Sequence, residues 1–233
     1  MKKAFLFTLL LASLTFAQIT PIKYGASGLL GIPTGDFGDL YNNGYGGTAH
    51  INIAIPGPFT LTGSVGYATF ALDNDYINQK LKELDSTPQN APTVNLDMPF
   101  SMIPVTVGVK YSLFNAVVLS PYASAELGLA FTTLKLSGNI EYNSSGAGSG
   151  TVKVPTETKS DTKSTFGIGI GTEINAAPNL TIDIAAKFNI ISVEFSQSVT
   201  KTQSGGGSVI TTTESSSSSG TFFGISAGLL FRL

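Results

Sequence analysis

Six charged side chains, Lys23, Lys110, Lys187, Glu126, Glu173 and Asp183, sit in segments that are otherwise apolar or small, in a chain of which only 12% is charged. Three bases and three acids so placed can pair within a confined interior, where a lone charge costs several kcal/mol. The same pairs, if they switch partners, would gate small ions. Nucleophilic and metal chemistry find less support. The chain has no Cys, so thiol nucleophiles, zinc–thiolate sites and disulfides are ruled out. His50 is the single histidine, which removes any multi-histidine metal site within one chain. No Ser has a base at a fixed spacing. No cofactor and no metal site are expected. A net charge of −2 gives no electrostatic reason to expect nucleic acid.

The elements that must position these residues are eight runs that alternate apolar with small or polar: 22–32, 44–55, 59–70, 103–113, 119–132, 166–175, 180–190 and 223–233. Successive side chains of a strand point to opposite faces, so parity sorts each run into two rows. In 103–113, Ile103, Val105, Val107, Val109, Tyr111 and Leu113 share one face, and Thr106, Gly108, Lys110 and Ser112 the other. In 166–175, Phe166, Ile168, Ile170 and Ile174 oppose Gly167, Gly169, Gly171, Glu173 and Asn175. The same holds for Leu180 to Ile190 against Thr181, Asp183, Ala185, Lys187 and Asn189. The last run sets Phe223, Ile225, Ala227, Leu229, Phe231 and Leu233 against Gly224, Ser226, Gly228 and Arg232, with Leu230 the one bulky exception. A water-soluble sandwich would carry many Lys and Glu on its outer face. Here one face is greasy and the other small and sparsely charged, the pattern of a membrane barrel.

The connections alternate. Short links fall at Pro56-Gly57-Pro58, Phe114 to Val118 and Ala176-Ala177-Pro178-Asn179; long ones at 33–43, 72–100, 134–163 and 196–220. An all-β, eight-stranded antiparallel up-and-down transmembrane β-barrel with short periplasmic turns and long extracellular loops has this rhythm. With no Trp, any interfacial belt must be Tyr and Phe: Tyr24, Phe59 and Tyr111 at the inner rim, and Tyr45, Tyr67, Phe131, Phe166 and Phe223 at the outer. Lys2 and Lys3 followed by an apolar stretch from Ala4 to Ala17 read as a signal peptide over 1–17, which leaves 18–233 as the barrel domain. That stretch falls short of the roughly 20 apolar residues of a spanning helix.

At the C-terminus, Ser226-x-Gly228-x-x-Phe231-x-Leu233 resembles the signal that the barrel-assembly machinery reads, with Leu in place of the usual terminal Phe. The segment Gly28-Leu-Leu-Gly-Ile-Pro-Thr-Gly-Asp-Phe-Gly-Asp39, with Gly44-Tyr-Gly-Gly47, resembles the first hairpin of the outer membrane protein β-barrel domain family, whose layout is that of the small OmpA-, OmpX- and OmpW-like barrels. The resemblance implies the outer membrane of a Gram-negative-type bacterium, contact with its lipid, insertion by the assembly machinery and a monomer. Ending at the eighth strand, the chain is expected to lack the peptidoglycan-binding domain of OmpA-like proteins. A lumen ion network acting as a gate is likewise implied by the OmpA-type barrels, beside the plainer reading of a polar plug.

Other features weigh less. His50, on the inner face between Thr48 and Asn52, reads as a packed, hydrogen-bonded lumen histidine; a lipid-modifying enzyme would need it beside a lipid-facing acid and Ser. Gly-x-Gly-x-Gly over 167–171 has period two and opens no helix, so it is no phosphate loop; its glycines leave lumen space or let the strand curve. Thr34-Gly35-Asp36 and Asp73-Asn74-Asp75 read as turns and caps before they read as ion sites. Ile77, Leu81 and Leu84 predict a helix over 74–85, capped by Asn74 or Asp75. The arms Leu136–Tyr142 with Thr151–Thr156, and Val193–Thr202 with Ser208–Thr213, can pair as hairpins beyond the membrane, whose edge could take a partner strand as OmpX-like barrels imply; flexible Gly/Ser tips are the simpler reading. The function expected is non-enzymatic: a plugged barrel with a structural or surface-interaction role, or, as the alternative, a narrow OmpW- or porin-like channel for small or hydrophobic solutes.

Overall fold

In the computed structural model, residues 22–84, 93–114, 116, 118–144, 148–201 and 210–232 are described. The expected signal peptide, Leu233 and the centres of the two Gly/Ser tips lie outside them. The described residues form nine strands: β1 (Ile22–Thr34), β2 (Gly44–Ala54), β3 (Phe59–Phe70), β4 (Thr93–Asp97), β5 (Phe100–Ser112), β6 (Leu119–Ser144), β7 (Gly148–Ala177), β8 (Leu180–Lys201) and β9 (Ile210–Arg232). Two helices join them, α1 (Asp36–Leu40) and α2 (Asn74–Leu84). Eight of the strands pair in sequence order, skipping β4, and β9 closes on β1 from Lys23↔Arg232 to Thr34↔Thr221. The ring is antiparallel throughout. A closed ring has no edge, and in lipid that is the only way a sheet satisfies all its backbone groups.

Parity sets what faces where. Val105, Val107, Leu127, Leu129, Phe166, Ile168, Ile170, Ile225 and Leu229 project outward and stay exposed, while Thr106, Lys110, Thr181, Asp183 and Leu230 point inward and are buried. The expected aromatic rims are present: Phe59 pairs with Tyr111 and Tyr24 with Phe231 at one end, and Tyr45, Tyr67, Phe131, Phe166 and Phe223 stand exposed toward the other.

Two expectations about the loops need correction, and the expected hairpin arms do pair. The segment 72–100 is more than a loop with a helix, because Thr93–Asp97 forms β4 on the outer part of β6 (Thr93↔Glu141 to Asp97↔Ser137). The cap of α2 is Asp73, whose Oδ1 accepts from the N–H groups of Asp75 and Tyr76; Asn74 is drawn to β4 instead. And 134–163 and 196–220 are mainly strand: β6 pairs with β7 out to Ser144↔Gly148, and β8 with β9 out to Lys201↔Ile210. Strands of 26, 30, 22 and 23 residues far exceed the roughly 9–11 that cross a bilayer, so two paired ribbons stand above it.

The edge of β4 is closed in an unusual way. Asn74 and Asn78, one turn apart on α2, each offer a side-chain amide to the strand. Asn74 accepts from Leu96 N–H (2.9 Å) and donates to its C=O (2.9 Å); Asn78 does the same for Val94 (2.7 and 2.9 Å). The two amides stand where a neighbouring strand's peptide groups would be. Gly138, at φ +151°, lets β6 approach β4 so closely that a Cβ there would strike the carbonyl of Asn95.

Candidate functional site

Strand parity carries all six charged residues into the lumen, and the structure pairs them. Glu173 and Asp183 lie directly opposite each other on β7 and β8, which for like charges is unfavourable by itself. Lys110 reaches across from β5 and separates them, donating to Asp183 Oδ2 (2.8 Å) and Glu173 Oε1 (3.1 Å). Lys23 from β1 takes the other oxygen of Glu173. Tyr122 donates its hydroxyl to Asp183 Oδ1 (2.7 Å), and its ring lies 4.2 Å from Lys110 Nζ. One layer farther out, Lys187 pairs with Glu126 at 2.9 Å. Every one of the six has an opposite charge beside it, the condition under which charges persist in a confined interior.

Glycines make this layer possible. A Cβ on Gly171 would meet the Tyr122 ring, on Gly169 the Lys187 side chain, and on Gly167 that of Glu126. The period-two glycines of 167–171 are therefore the space in which three long side chains of the network lie. An eight-stranded interior holds little more than its own side chains, so bulk at one position needs its absence at the next.

The outer part of the lumen holds different chemistry, which the expected small-polar inner face did not include. Phe70, Phe100, Phe222, Met102, Ile191 and Ala130 all have inward parity and are buried together, Phe70, Phe100 and Met102 at the outer ends of β3 and β5 and the other three partway along the longer strands. Helix α1, in the loop expected only to turn, drops Phe37 onto them: its ring is 5.2 Å from Phe70 and 5.4 Å from Phe100, and Tyr41 stacks 4.8 Å behind it. Gly35, at φ +60°, starts this helix, and its carbonyl accepts from Gly38 and Asp39. Burial pushes the Tyr41 phenol up to about 12. The signal for this stopper was present in the sequence as large apolar residues at inward positions, all at one end.

Between the ionic layer and the aromatic cluster lies a chamber of about 100 Å³ with Met102 and Phe222 toward the cluster and His50, Thr106, Glu126 and Lys187 among its polar walls. Below the ionic layer, a vestibule of about 310 Å³ opens at the inner mouth beside Lys23, Glu173 and Arg232. Asn52, Lys110 and Tyr122 line both spaces and form the partition between them. His50 faces the lumen as expected, but its Nε2 is not hydrogen-bonded: it and Asn52 Nδ2 are buried without a protein partner among the described residues. No Ser or acid engages that nitrogen. Of the residues resembling an assembly signal, Ser226 lines the chamber and Phe231 packs on Tyr24 at the lipid face, 6.1 Å between rings; Gly228 sits beside Ser27.

A family described as outer membrane protein beta-barrel domain has a model that matches residues 4–231. No curated protein sequence matches the chain. Among solved structures, a major outer membrane protein from Thermus thermophilus is similar with a TM-score of 0.52 and 15% identity, over 91% of this chain and 99% of that one. Neisserial surface protein A (NspA) is similar at 0.50 and 14%, over 91% and 97%. The outer membrane protease OmpT from Escherichia coli gives 0.46 and 10%, over 91% and 97%.

Proposed function

We propose that this chain, which belongs to the outer membrane protein beta-barrel domain family, is a non-enzymatic, self-plugged barrel with a structural or surface-interaction role in the envelope of a Gram-negative-type bacterium. One observation supports the reading: two layers of side chains lie across the lumen, the ion pairs around Lys110 and the aromatic cluster around Phe70, while the paired ribbons of β6–β7 and β8–β9 stand outside. A conduit needs a continuous bore, and an enzyme needs a base with a nucleophile or acid in reach. His50 has neither at Nε2. The lipid-facing rows make outer-membrane lipid the surroundings of the barrel wall, and the C-terminal residues Ser226, Gly228 and Phe231, with Leu233, are the part offered to the assembly machinery. The wall presents lipid-facing residues on all sides, which suits a monomer. No patch of basic residues among the described residues suits nucleic acid.

The test is conductance. Purified wild-type protein inserted in a planar bilayer is expected to give no sustained ionic current across a range of voltages. A steady current from the wild type that falls on substitution of lumen residues would refute plugging and establish the narrow channel instead.

A further inference from the structure

The short turns at the inner rim differ in what they expose. The β7–β8 turn is Pro178-Asn179. The β5–β6 turn exposes Leu113, Phe114 and Val118 by 58%, 58% and 59%, and beside it stand Leu119, Tyr111, Phe59 and Ile55, each more than 40% exposed. No charged residue occurs from Tyr111 to Ala125. Main-chain hydrogen bonds brace the described part of this turn. Leu113 N–H donates to Pro121 C=O (2.9 Å), Ala116 N–H to Leu119 C=O (3.2 Å), and Ser112 N–H to Pro58 C=O (2.8 Å), which ties this turn to its neighbour. A backbone so braced holds a sizeable apolar surface outward, where a water-facing turn would carry polar residues. Contiguous exposed apolar surface marks an interaction site.

We infer that this turn is a lipid anchor: Leu113, Phe114 and Val118 enter the headgroup and upper acyl region of the periplasmic leaflet. The occupant follows from continuity. Val107, Val109 and Tyr111 form one outward row on β5 and Leu113 follows it at the same spacing just past the strand, so the patch extends the lipid-facing wall past the aromatic rim without a break. The wall a quarter of the ring away, around the β7–β8 turn, has no such extension: from two residues past Ile174 the chain reads Ala176-Ala177-Pro178-Asn179. The β3–β5–β6 side therefore reaches deeper into the inner leaflet than the β7–β8 side.

Because the chain has no Cys, a single introduced cysteine gives one labelling site. Phe114→Cys and Asn179→Cys are each labelled with an environment-sensitive fluorophore and folded into phosphatidylethanolamine–phosphatidylglycerol vesicles at high lipid-to-protein ratio. Iodide is present on both sides, and spin-labelled phospholipid is used in parallel samples. The label at 114 is expected to be quenched at least threefold more by the lipid-borne probe than by iodide, and the label at 179 the reverse. Equal iodide quenching at the two positions overturns the anchor. So does shielding at 114 that vanishes as lipid is increased, which would make the patch a contact between copies of the chain. Folding of each variant is checked by its heat-modifiable gel shift, and Val118→Cys reports on the same surface should Phe114→Cys not fold.

Discussion

Replacing Lys110 by Met removes the one cation that touches both Glu173 and Asp183. Its contacts of 3.1 and 2.8 Å are each worth about 5 kcal/mol of gross attraction at an effective dielectric near 20. Desolvation of the three ions offsets most of this, and breaking a buried pair costs about 3–5 kcal/mol net because the partner is left uncompensated. Glu173 keeps Lys23, whereas Asp183 keeps only the hydroxyl of Tyr122. The loss is therefore expected at about 3 kcal/mol, concentrated on Asp183. Adding Asp183→Asn should restore roughly 2 kcal/mol, since the amide oxygen still accepts from Tyr122 and no charge is stranded. The assay is urea-dependent folding into lipid vesicles followed by circular dichroism, the chain having no Trp to report by fluorescence. A single substitution costing under about 1 kcal/mol, or a double variant less stable than the single, would refute the view that Lys110 holds two like charges together.

Other outcomes follow from the same geometry. Lys110→Ala and Glu173→Ala alone should leave the barrel electrically silent, because the aromatic stopper lies in series; current from either would make the ionic layer the only barrier. Asn74→Ala strips Leu96 of partners for both backbone groups, at a cost of about 1–3 kcal/mol. Hydrogen exchange at Leu96 should quicken while β5 is unchanged, and an unaltered rate would remove the edge-closing role. Phe70→Ala, at a fully buried ring, should cost about 3–5 kcal/mol in the same urea titration, and a cost near zero would mean the stopper is not packed. Tyr41 holds its proton to about 12 when folded, above the ordinary tyrosine value of about 10. The stability it lends the cap is thus complete below pH 10 and is lost as pH rises from about 10 to about 12. Titrated by absorbance, Tyr41→Phe should lose one late-ionising tyrosine, and loss of an ordinary one would contradict the burial.

The wall of the barrel was legible because lipid leaves no ambiguity: a run such as Ile103 to Leu113 has one solution in which its Val and Ile rows meet hydrocarbon. The charged network followed from the same parity, since Lys110 and Glu173 fell on the inner rows. Partner choice did not, because which acid a lysine reaches depends on the stagger between strands far apart in the chain. Phe70, Phe100 and Phe222 have inward parity too, but nothing local says that rings from three strands converge at one level, or that Phe37 from a loop completes them. Strand β4 was hidden for a similar reason. Thr93–Asp97 has too little contrast between its faces to declare itself, and it is held by β6 on one edge and by amides on a helix some twenty residues earlier on the other. The outer ribbons, rich in Thr and Ser on both faces, lack the periodic contrast that marks a half-buried strand.

The outer ribbons are not attached to the barrel; they are its staves prolonged. β7 runs without interruption from the tip at Gly148 to the inner rim at Ala177, paired with β6 along almost its whole length. A tug on that tip is delivered along the strand direction, where all the ladder bonds bear load at once, rather than across it, where they would unzip singly. Such a handle transmits traction straight into the staves, so strain on the surface reaches the grip of the bilayer before it unravels the fold.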